Sequence, residues 1–337
     1  MEGLHFSFII PVFNRPEEVK ELLESFTQLE GSSEYEIVIV EDGSTMTSKA
    51  VVDAFRNALN VSYFYKENSG PGDSRNYGMN RAKGNYFIIL DSDCLLPKNY
   101  LAVISKHLNE EYVDCFGGID AAHDSFSDLQ KAINFAMTSF LTTGGVRGSK
   151  HGAKKFQPRS FNMGISKVAF QASGGFGTIH PGEDPDLSIR LNTLGFKTYL
   201  MKDAKVFHKR RISWSKFFRQ VYKFGMVRPI LNSWYPETKR FTYWFPSIFN
   251  LGLLFALLLS FLGYYWLLVI YGLYFLVVFL MASVETKSVS IGAQSLVAVF
   301  VQFLGYGYGF LKSTFIVEVL KKKPEECFPN LFFKHVD

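Results

Sequence analysis

The chain has 337 residues, enough for one large domain or a domain with an appendage, and its net charge of +5 is too small to argue for a nucleic-acid partner. Hydrophobic residues make up 47% and aromatic residues 16%, but the averages hide a change near Arg240, from ordinary α/β composition to long apolar runs. Cys94, Cys115 and Cys327 have no CxxC spacing, which excludes a zinc site or disulfide framework built from them and fits a reducing, cytoplasmic compartment. The segment from Met1 to Asn14 lacks the basic start and small-residue cleavage site of a signal peptide.

The first hundred residues alternate strand and helix patterns. Phe6 to Phe13 is a short apolar run, read as a buried strand, and Pro16 to Leu29 follows with Val19, Leu22, Leu23 and Phe26 at helical spacing. Tyr35 to Val40 and Val61 to Lys66 read as strands, with a helix at Thr47 to Leu59 between them. Asp73 to Ala82 reads as a helix and Asn85 to Leu90 as a strand. This alternation predicts an α/β fold with a mostly parallel sheet and helices on both faces. Such sheets bind ligands at the carboxyl ends of their strands.

Thr142 to Gln157 has no apolar period and reads as a mobile loop or lid. Asp184 to Leu194 reads as a short helix ending at Gly195, and Ala204 to Phe207 as a strand. Ser213 to Arg228 carries aromatic residues beside Lys216, Arg219, Lys223 and Arg228, a pattern that suits either a helix at a membrane surface or one packed on the domain. Three apolar segments follow, Trp244 to Leu262, Tyr264 to Ala282 and Val289 to Leu311, each near the roughly 20 residues a membrane span needs. The aromatic clusters at 243–245 and 264–266 suit the two interfaces. Three spans would put Lys321, Lys322 and Lys323 outside, whereas two spans plus a re-entrant or interfacial segment would keep them in the cytoplasm. The expected division is thus residues 1–240 as a cytoplasmic domain, with 213–228 a candidate interfacial helix, 241–315 as the membrane region and 316–337 as a basic tail.

Carboxylates recur where the sheet rule places a site. Asp42, followed by Gly43, ends the second strand and suits either a nucleotide contact or a turn. Asp91 and Asp93 follow the fully apolar fourth strand, and such a pair suits a hard cation, Mg²⁺ or Mn²⁺, shared with substrate phosphates. Glu183, Asp184 and Asp186 open the short helix, where they complement its dipole or supply a general base.

Taken with Ile9 to Arg15, Glu41 to Ser44, Gly70-Pro71-Gly72, Arg75-Asn76, Gly78, Ala82-Lys83-Gly84, Leu90 to Asp93, Gly174-Gly175-Phe176, Gly182 to Asp184, Asp186-Leu187 and Arg190, residues 4 to 228 resemble the family 2 glycosyltransferases, which have a GT-A fold. The resemblance implies a Rossmann-like α/β domain followed here by transmembrane helices. It implies inverting transfer of a sugar from a nucleotide-diphosphate donor, most often a UDP-sugar, to an acceptor hydroxyl. Pro11, Phe13 and Asn14 would line the nucleotide pocket, Asp42 would contact the base, and Arg75 would sit near the nucleotide or its diphosphate. Asp91 and Asp93 would hold Mn²⁺ or Mg²⁺, with His208 within reach of metal or diphosphate. Asp184 would be the catalytic base, with Glu183 second in line. Arg210 and Arg211 suit phosphate oxygens or a solvated pair. The Gln-x-x-Arg-Trp motif of the family's processive synthases is absent, which argues against a polymerising enzyme. The apolar tail points to a multi-pass protein with a cytoplasmic catalytic domain and an acceptor on a lipid-linked glycan or glycolipid. The rival readings are a nucleotidyltransferase and a non-catalytic membrane scaffold.

Overall fold

The computed structural model describes residues 3–31, 33–121, 126–143, 156–208 and 213–333. The chain runs β1 (Phe6–Val12), α1 (Pro16–Phe26), β2 (Tyr35–Asp42), α2 (Lys49–Phe55), β3 (Val61–Lys66), α3 (Pro71–Arg81), β4 (Tyr86–Leu90), β5 (Cys94–Leu95), α4 (Tyr100–Glu110) and β6 (Cys115–Ala121). It continues through α5 (Asp128–Thr138), α6 (Phe140–Thr143), β7 (Asn162–Ser166), α7 (Lys167–Ser173), α8 (Glu183–Thr193), β8 (Thr198–His208) and α9 (Trp214–Trp234). Three long apolar helices follow, α10 (Phe245–Ser260), α11 (Trp266–Thr286) and α12 (Val289–Thr314). Much of the loop expected at 142–157 and both Arg210 and Arg211 lie outside the described residues, as does the side chain of His208.

Two compact units form. The first is Met1–His123, His151–His208 and Phe332–Asp337; the second is Asp124–Lys150 and Lys209–Leu331. The division does not fall at the composition change near Arg240, because α5, α6 and α9 pack with the apolar helices.

In the first unit the strands form a mixed sheet in the order β3-β2-β1-β4-β7-β6-β8-β5. The first four strands in that order are mutually parallel. β7 then runs antiparallel to both β4 and β6, and β6 and β8 pair in parallel. Alternation along β1 divides the core between two faces. Phe8 and Ile10 join Val19, Leu22 and Phe26 of α1 and Ile104 of α4 on one side. Ile9 joins Met79 of α3, Phe170 of α7 and Leu187 of α8 on the other. The helices therefore cover both faces, as the apolar strands require. Gly78 sets the approach of α3: a Cβ there would lie 2.8 Å from Ile9 Cγ2 and 3.1 Å from Val40 Cγ2. The result for function is that Val12, Asp42, Lys66 and Leu90 all end at one edge of the sheet.

Local boundaries differ from the sequence expectation where distant pairing decides them. β8 is much longer than Ala204 to Phe207 because it is flanked by β6 on one side and β5 on the other. α9 runs past Arg228 and through Pro229 to Trp234, with Met226, Val227, Ile230 and Leu231 buried.

In the second unit the segments Phe241–Ser260, Trp266–Thr286 and Val289–Val319 are long and apolar enough to cross a membrane, with mean hydropathies of 1.6, 2.5 and 1.5. α10 and α12 run antiparallel, tied by Ser247 Oγ donating to the Gly307 carbonyl at 3.1 Å and Asn250 Nδ2 donating to the Phe303 carbonyl at 2.7 Å. α9 lies along α12 through small residues. A Cβ on Gly225 would collide with the Tyr306 carbonyl, and one on Gly309 with the Tyr222 carbonyl. Gly309→Val should therefore destabilise the detergent-solubilised protein by about 1–3 kcal/mol. Thermal unfolding checks this, and a melting temperature equal to wild type would show that the two helices are not so closely apposed.

Candidate functional site

The site begins in the turn after β1. Asn14 has φ of 54°, a left-handed conformation that asparagine tolerates better than most residues. Its backbone N–H donates to Ser44 Oγ at 2.7 Å, and its Oδ1 accepts from the N–H groups of Thr45 and Met46 at 2.8 and 2.9 Å. Asn14 thus ties the β1 turn to the loop after β2. Pro11 lies within β1, and the neighbouring Phe13 is half exposed.

Glu41 and Asp42, adjacent at the end of β2, serve different segments. Glu41 is fully buried and accepts from Ser44 Oγ, from the Ser48 N–H at 2.8 Å and from the Tyr63 hydroxyl at 3.3 Å. Burial, with Glu41 beside it, pushes the Tyr63 phenol up to about 12. Asp42 Oδ1 accepts from Lys66 Nζ at 2.6 Å and the Ser69 N–H at 3.0 Å, and Oδ2 accepts from the Gly70 N–H at 2.9 Å. Asp42 therefore fixes the turn that leads into α3 while Oδ2 keeps one further acceptor position.

α3 carries Arg75, whose side chain is only 4% exposed. Its Nη2 donates to Asp91 Oδ1 at 2.9 Å and its Nη1 to Glu183 Oε1 at 3.1 Å. The guanidinium also lies 5.3 Å from the centre of the Phe176 ring. Carboxylates that stand 92 residues apart in sequence meet on this one group. Burial works against the charge of Arg75, but Asp91, Glu183 and Asp184 outweigh it and raise its pKa above the ordinary value.

Asp93, two residues after Asp91, accepts from Arg15 Nη1 at 3.0 Å. Both members of the Asp91–Asp93 pair thus face a guanidinium at the end of β4, with side chains 33% and 13% exposed. Among the described residues no group of three or more His, Cys, Asp or Glu gathers as a metal cage. Two hard oxygen donors at a strand end are of the chemistry that a divalent cation takes when substrate phosphates complete its shell, and here each carboxylate already pairs with a guanidinium. β8 pairs His208 with Cys94, one residue after Asp93, so the backbone brings this position to the same edge.

α8 opens at Gly182, whose φ of 131° favours glycine, directly before Glu183. The two acids that follow differ. Glu183 Oε1 lies between Arg75 Nη1 and His180 Nδ1, the latter at 2.9 Å. Burial opposes its ionisation, but His180 and Arg75 outweigh burial and hold Glu183 down at about 2. Asp184 Oδ2 accepts from the Ser160 N–H at 3.1 Å, while the buried Oδ1 has no hydrogen-bond partner among the described residues. Burial first, and the Glu183 charge second, raise the Asp184 carboxyl above its usual range. Asp186 and Arg190 turn out to be scaffolding: they pair at 2.7 Å, and Arg190 donates to the carbonyls of Ser173 and Gly175. Asn76 completes that support, accepting from the Phe176 N–H at 2.8 Å and donating to the Phe176 carbonyl at 2.9 Å.

The structure thus joins Arg75, Asp91, Glu183 and Asp184 in one charged cluster and links Asp93 to Arg15. It sets Asn14 in the turn after β1 and Asp42 at the end of the neighbouring β2, each already engaged by protein groups. Sequence reasoning assigned no role to Arg15, Lys66 or His180. His180 has one sequence signal, its position three residues before Glu183, but nothing local marks Arg15 as the partner of Asp93.

Comparison with known proteins places the sequence in a family. The sequence model of Glycosyl transferase family 2 matches residues 7–177, about half of the chain. The poly(ribitol-phosphate) beta-N-acetylglucosaminyltransferase TarS of Staphylococcus aureus is 32% identical over 114 residues, 33% of this chain and 20% of TarS. The abequosyltransferase RfbV of Salmonella typhimurium is 35% identical over 109 residues, 31% of this chain and 33% of RfbV. The matches thus span a third or less of these relatives. Among solved structures, the mannosyltransferase PcManGT of Pyrobaculum calidifontis, in complex with GDP-Man and Mn²⁺, has a TM-score of 0.56 at 14% identity, covering 96% of this chain and 89% of that one. This likeness concerns the fold.

The burial of Arg75 between carboxylates gives a direct test. Arg75→Met should lower unfolding stability by about 3–5 kcal/mol, because it strands Glu183 in the interior. The Glu183 contribution also has a defined pH sense. Its folded pKa lies below the ordinary 4.5, so it stabilises fully above about 4.5 and is lost as pH falls towards 2. Glu183→Gln should flatten the acid limb of stability in that window, and an unchanged limb would count against the ion pairs.

Proposed function

Since the chain belongs to glycosyltransferase family 2, we propose that it transfers a sugar, with inversion, from a nucleotide-diphosphate donor to an acceptor hydroxyl. The observation that carries this reading is the Arg75 bridge, which holds the strand-end aspartate Asp91 and the α8 acids in one cluster. A leaving diphosphate needs positive charge and a nucleophile needs a base, and this cluster has groups suited to both.

Asp184 is the base. Its Oδ1 has an open acceptor position, and its raised pKa makes it a better proton acceptor than Glu183, which is held at about 2 by His180 and Arg75. It takes the proton of the acceptor hydroxyl as that oxygen attacks the anomeric carbon from the side opposite the diphosphate. The electron pair of the breaking bond leaves on the diphosphate oxygen. Asp91 and Asp93 would hold Mn²⁺ or Mg²⁺, which when bound neutralises diphosphate charge. Arg75 and Arg15 orient those two carboxylates. Phe13 offers its exposed face to the base of the nucleotide. A uridine donor is the preferred assignment, on the resemblance of the motifs.

The three apolar helices support a multi-pass membrane location, and because Phe332 and Phe333 beyond them belong to the catalytic unit, the reading is two spans plus a re-entrant or interfacial segment, with that unit on the cytoplasmic side. An acceptor carried on a lipid follows from that placement, as a lipid-linked glycan or glycolipid would meet the enzyme at the bilayer surface. Equal rates on soluble and lipid-linked acceptors would remove this part of the assignment.

Asp184→Asn should leave donor binding nearly intact and lower turnover by about 10²–10⁴-fold, the usual contribution of a general base. Asp93→Ala should weaken donor and metal binding together. A binding and hydrolysis screen of UDP-, GDP- and dTDP-sugars, with and without Mn²⁺ or Mg²⁺, checks both. Wild-type turnover in Asp184→Asn would reassign the base, and donor binding indifferent to metal and to Asp93→Ala would reject the metal site.

A further inference from the structure

The last described residues, which follow the apolar helices in sequence, belong to the unit that contains the candidate site. Phe332 forms an antiparallel bridge with Ile179, and the Phe333 N–H donates to the Thr178 carbonyl at 2.9 Å. The Phe333 ring lies 5.9 Å from the His180 ring. It also covers Gly70 so closely that a Cβ there would collide with it.

These contacts join two segments that matter. Gly70 opens α3, which carries Arg75, and its N–H is held by Asp42 Oδ2 at 2.9 Å. His180 precedes α8, and its Nδ1 is 2.9 Å from Glu183 Oε1. The two segments also touch directly, since a Cβ on Gly72 would lie 2.9 Å from the Gly177 carbonyl oxygen. A small cleft at this junction is lined by Ser69, Asp73, Thr178, His180 and Phe333.

We propose that Phe332 and Phe333 form a strap that positions the catalytic centre: it pins residues 177–180 to the start of α3, so that His180 and Arg75 keep hold of Glu183 while Asp184 stays open. The catalytic half of this inference rests on Asp184 as the base; the mechanical half does not. Phe333 acts through His180 and Glu183 and is a positioning residue. A misplacement of about 1 Å in such a site can cost up to about 10²-fold in rate.

The test uses the full chain in detergent micelles, comparing wild type, Phe333→Ala, Phe333→Tyr and a deletion of residues 332–337. Amide hydrogen exchange over 176–183 is read together with donor-sugar turnover. Phe333→Ala and the deletion should speed exchange in that segment and lower kcat by about tenfold or more, with KM for the donor within about twofold. Phe333→Tyr, which keeps the ring, should restore both. Unchanged exchange in Phe333→Ala overturns the strap. Faster exchange with unchanged kcat overturns its catalytic role, as does a joint loss of kcat, KM and melting temperature that Phe333→Tyr fails to rescue. If wild type turns over no donor, the transfer reading falls and the catalytic role with it, whereas the exchange result still decides the strap.

Discussion

The guanidinium of Arg75 is almost cut off from water, and a buried charge is tolerated only where opposite charge and hydrogen bonds replace hydration. Asp91 and Glu183 supply both. The consequence reaches beyond the ion pairs. α3 must lie close enough to the sheet for Arg75 to reach the end of β4, which explains why Gly78 meets Ile9 and Val40 with no room for a Cβ. The entry to α8 must lie close to the start of α3, which explains the same lack of room between Gly72 and Gly177. Phe176 covers the guanidinium on one face, and Asn76 holds the backbone of Phe176. Several glycines and polar residues of the motifs thus exist so that one cation can be buried.

That burial also separates two adjacent acids. Glu183 and Asp184 share a helix start and would otherwise be alike. Glu183 faces Arg75 and His180 and stays ionised far into acid. Asp184 has Arg75 and Arg159 only as weaker opposing influences, so burial and its charged neighbour dominate and its proton is held more tightly. A pair of carboxyls pushed apart in this way is a common arrangement for assigning proton-transfer roles. The ionised Glu183 is therefore a means of tuning its neighbour as well as an anchor for Arg75.

Much of the fold was legible because apolar runs and turn residues are local signals. The runs Phe6–Val12, Tyr35–Val40 and Tyr86–Leu90 are buried strands because nothing but a covered sheet could accept them. The carboxylates at the end of β2 and after β4 were legible for the same reason: a strand end is a position, and the sequence displays it. What was hidden is pairing across distance. Asp42 followed by Gly43 reads as a ligand contact or a turn, and only the fold shows Lys66, Ser69 and Gly70 converging on it. Arg15 and Asp93 are 78 residues apart, and no periodicity connects them. The antiparallel β7 was equally hidden, since Asn162–Ser166 is short and carries no strong alternation.

The helix at 214–234 carries a pattern that had two readings. Its basic and aromatic residues suited a membrane surface or a packed helix, and the structure supplies the packing. Phe217, Val221 and Gly225 are buried, whereas Lys216 and Arg219 stay exposed on the other side. Where helices leave water, burying apolar surface against a neighbour gains little, since lipid is as apolar as a side chain, and close approach through small residues takes over. Gly305 and Gly309 present that kind of face to α9. α12 accordingly has 44% of its most apolar stretch buried within its unit, against 17% and 11% for the other two. Lys312, 3.3 Å from the Tyr222 hydroxyl, lies at the end of α12 where α9 accompanies it.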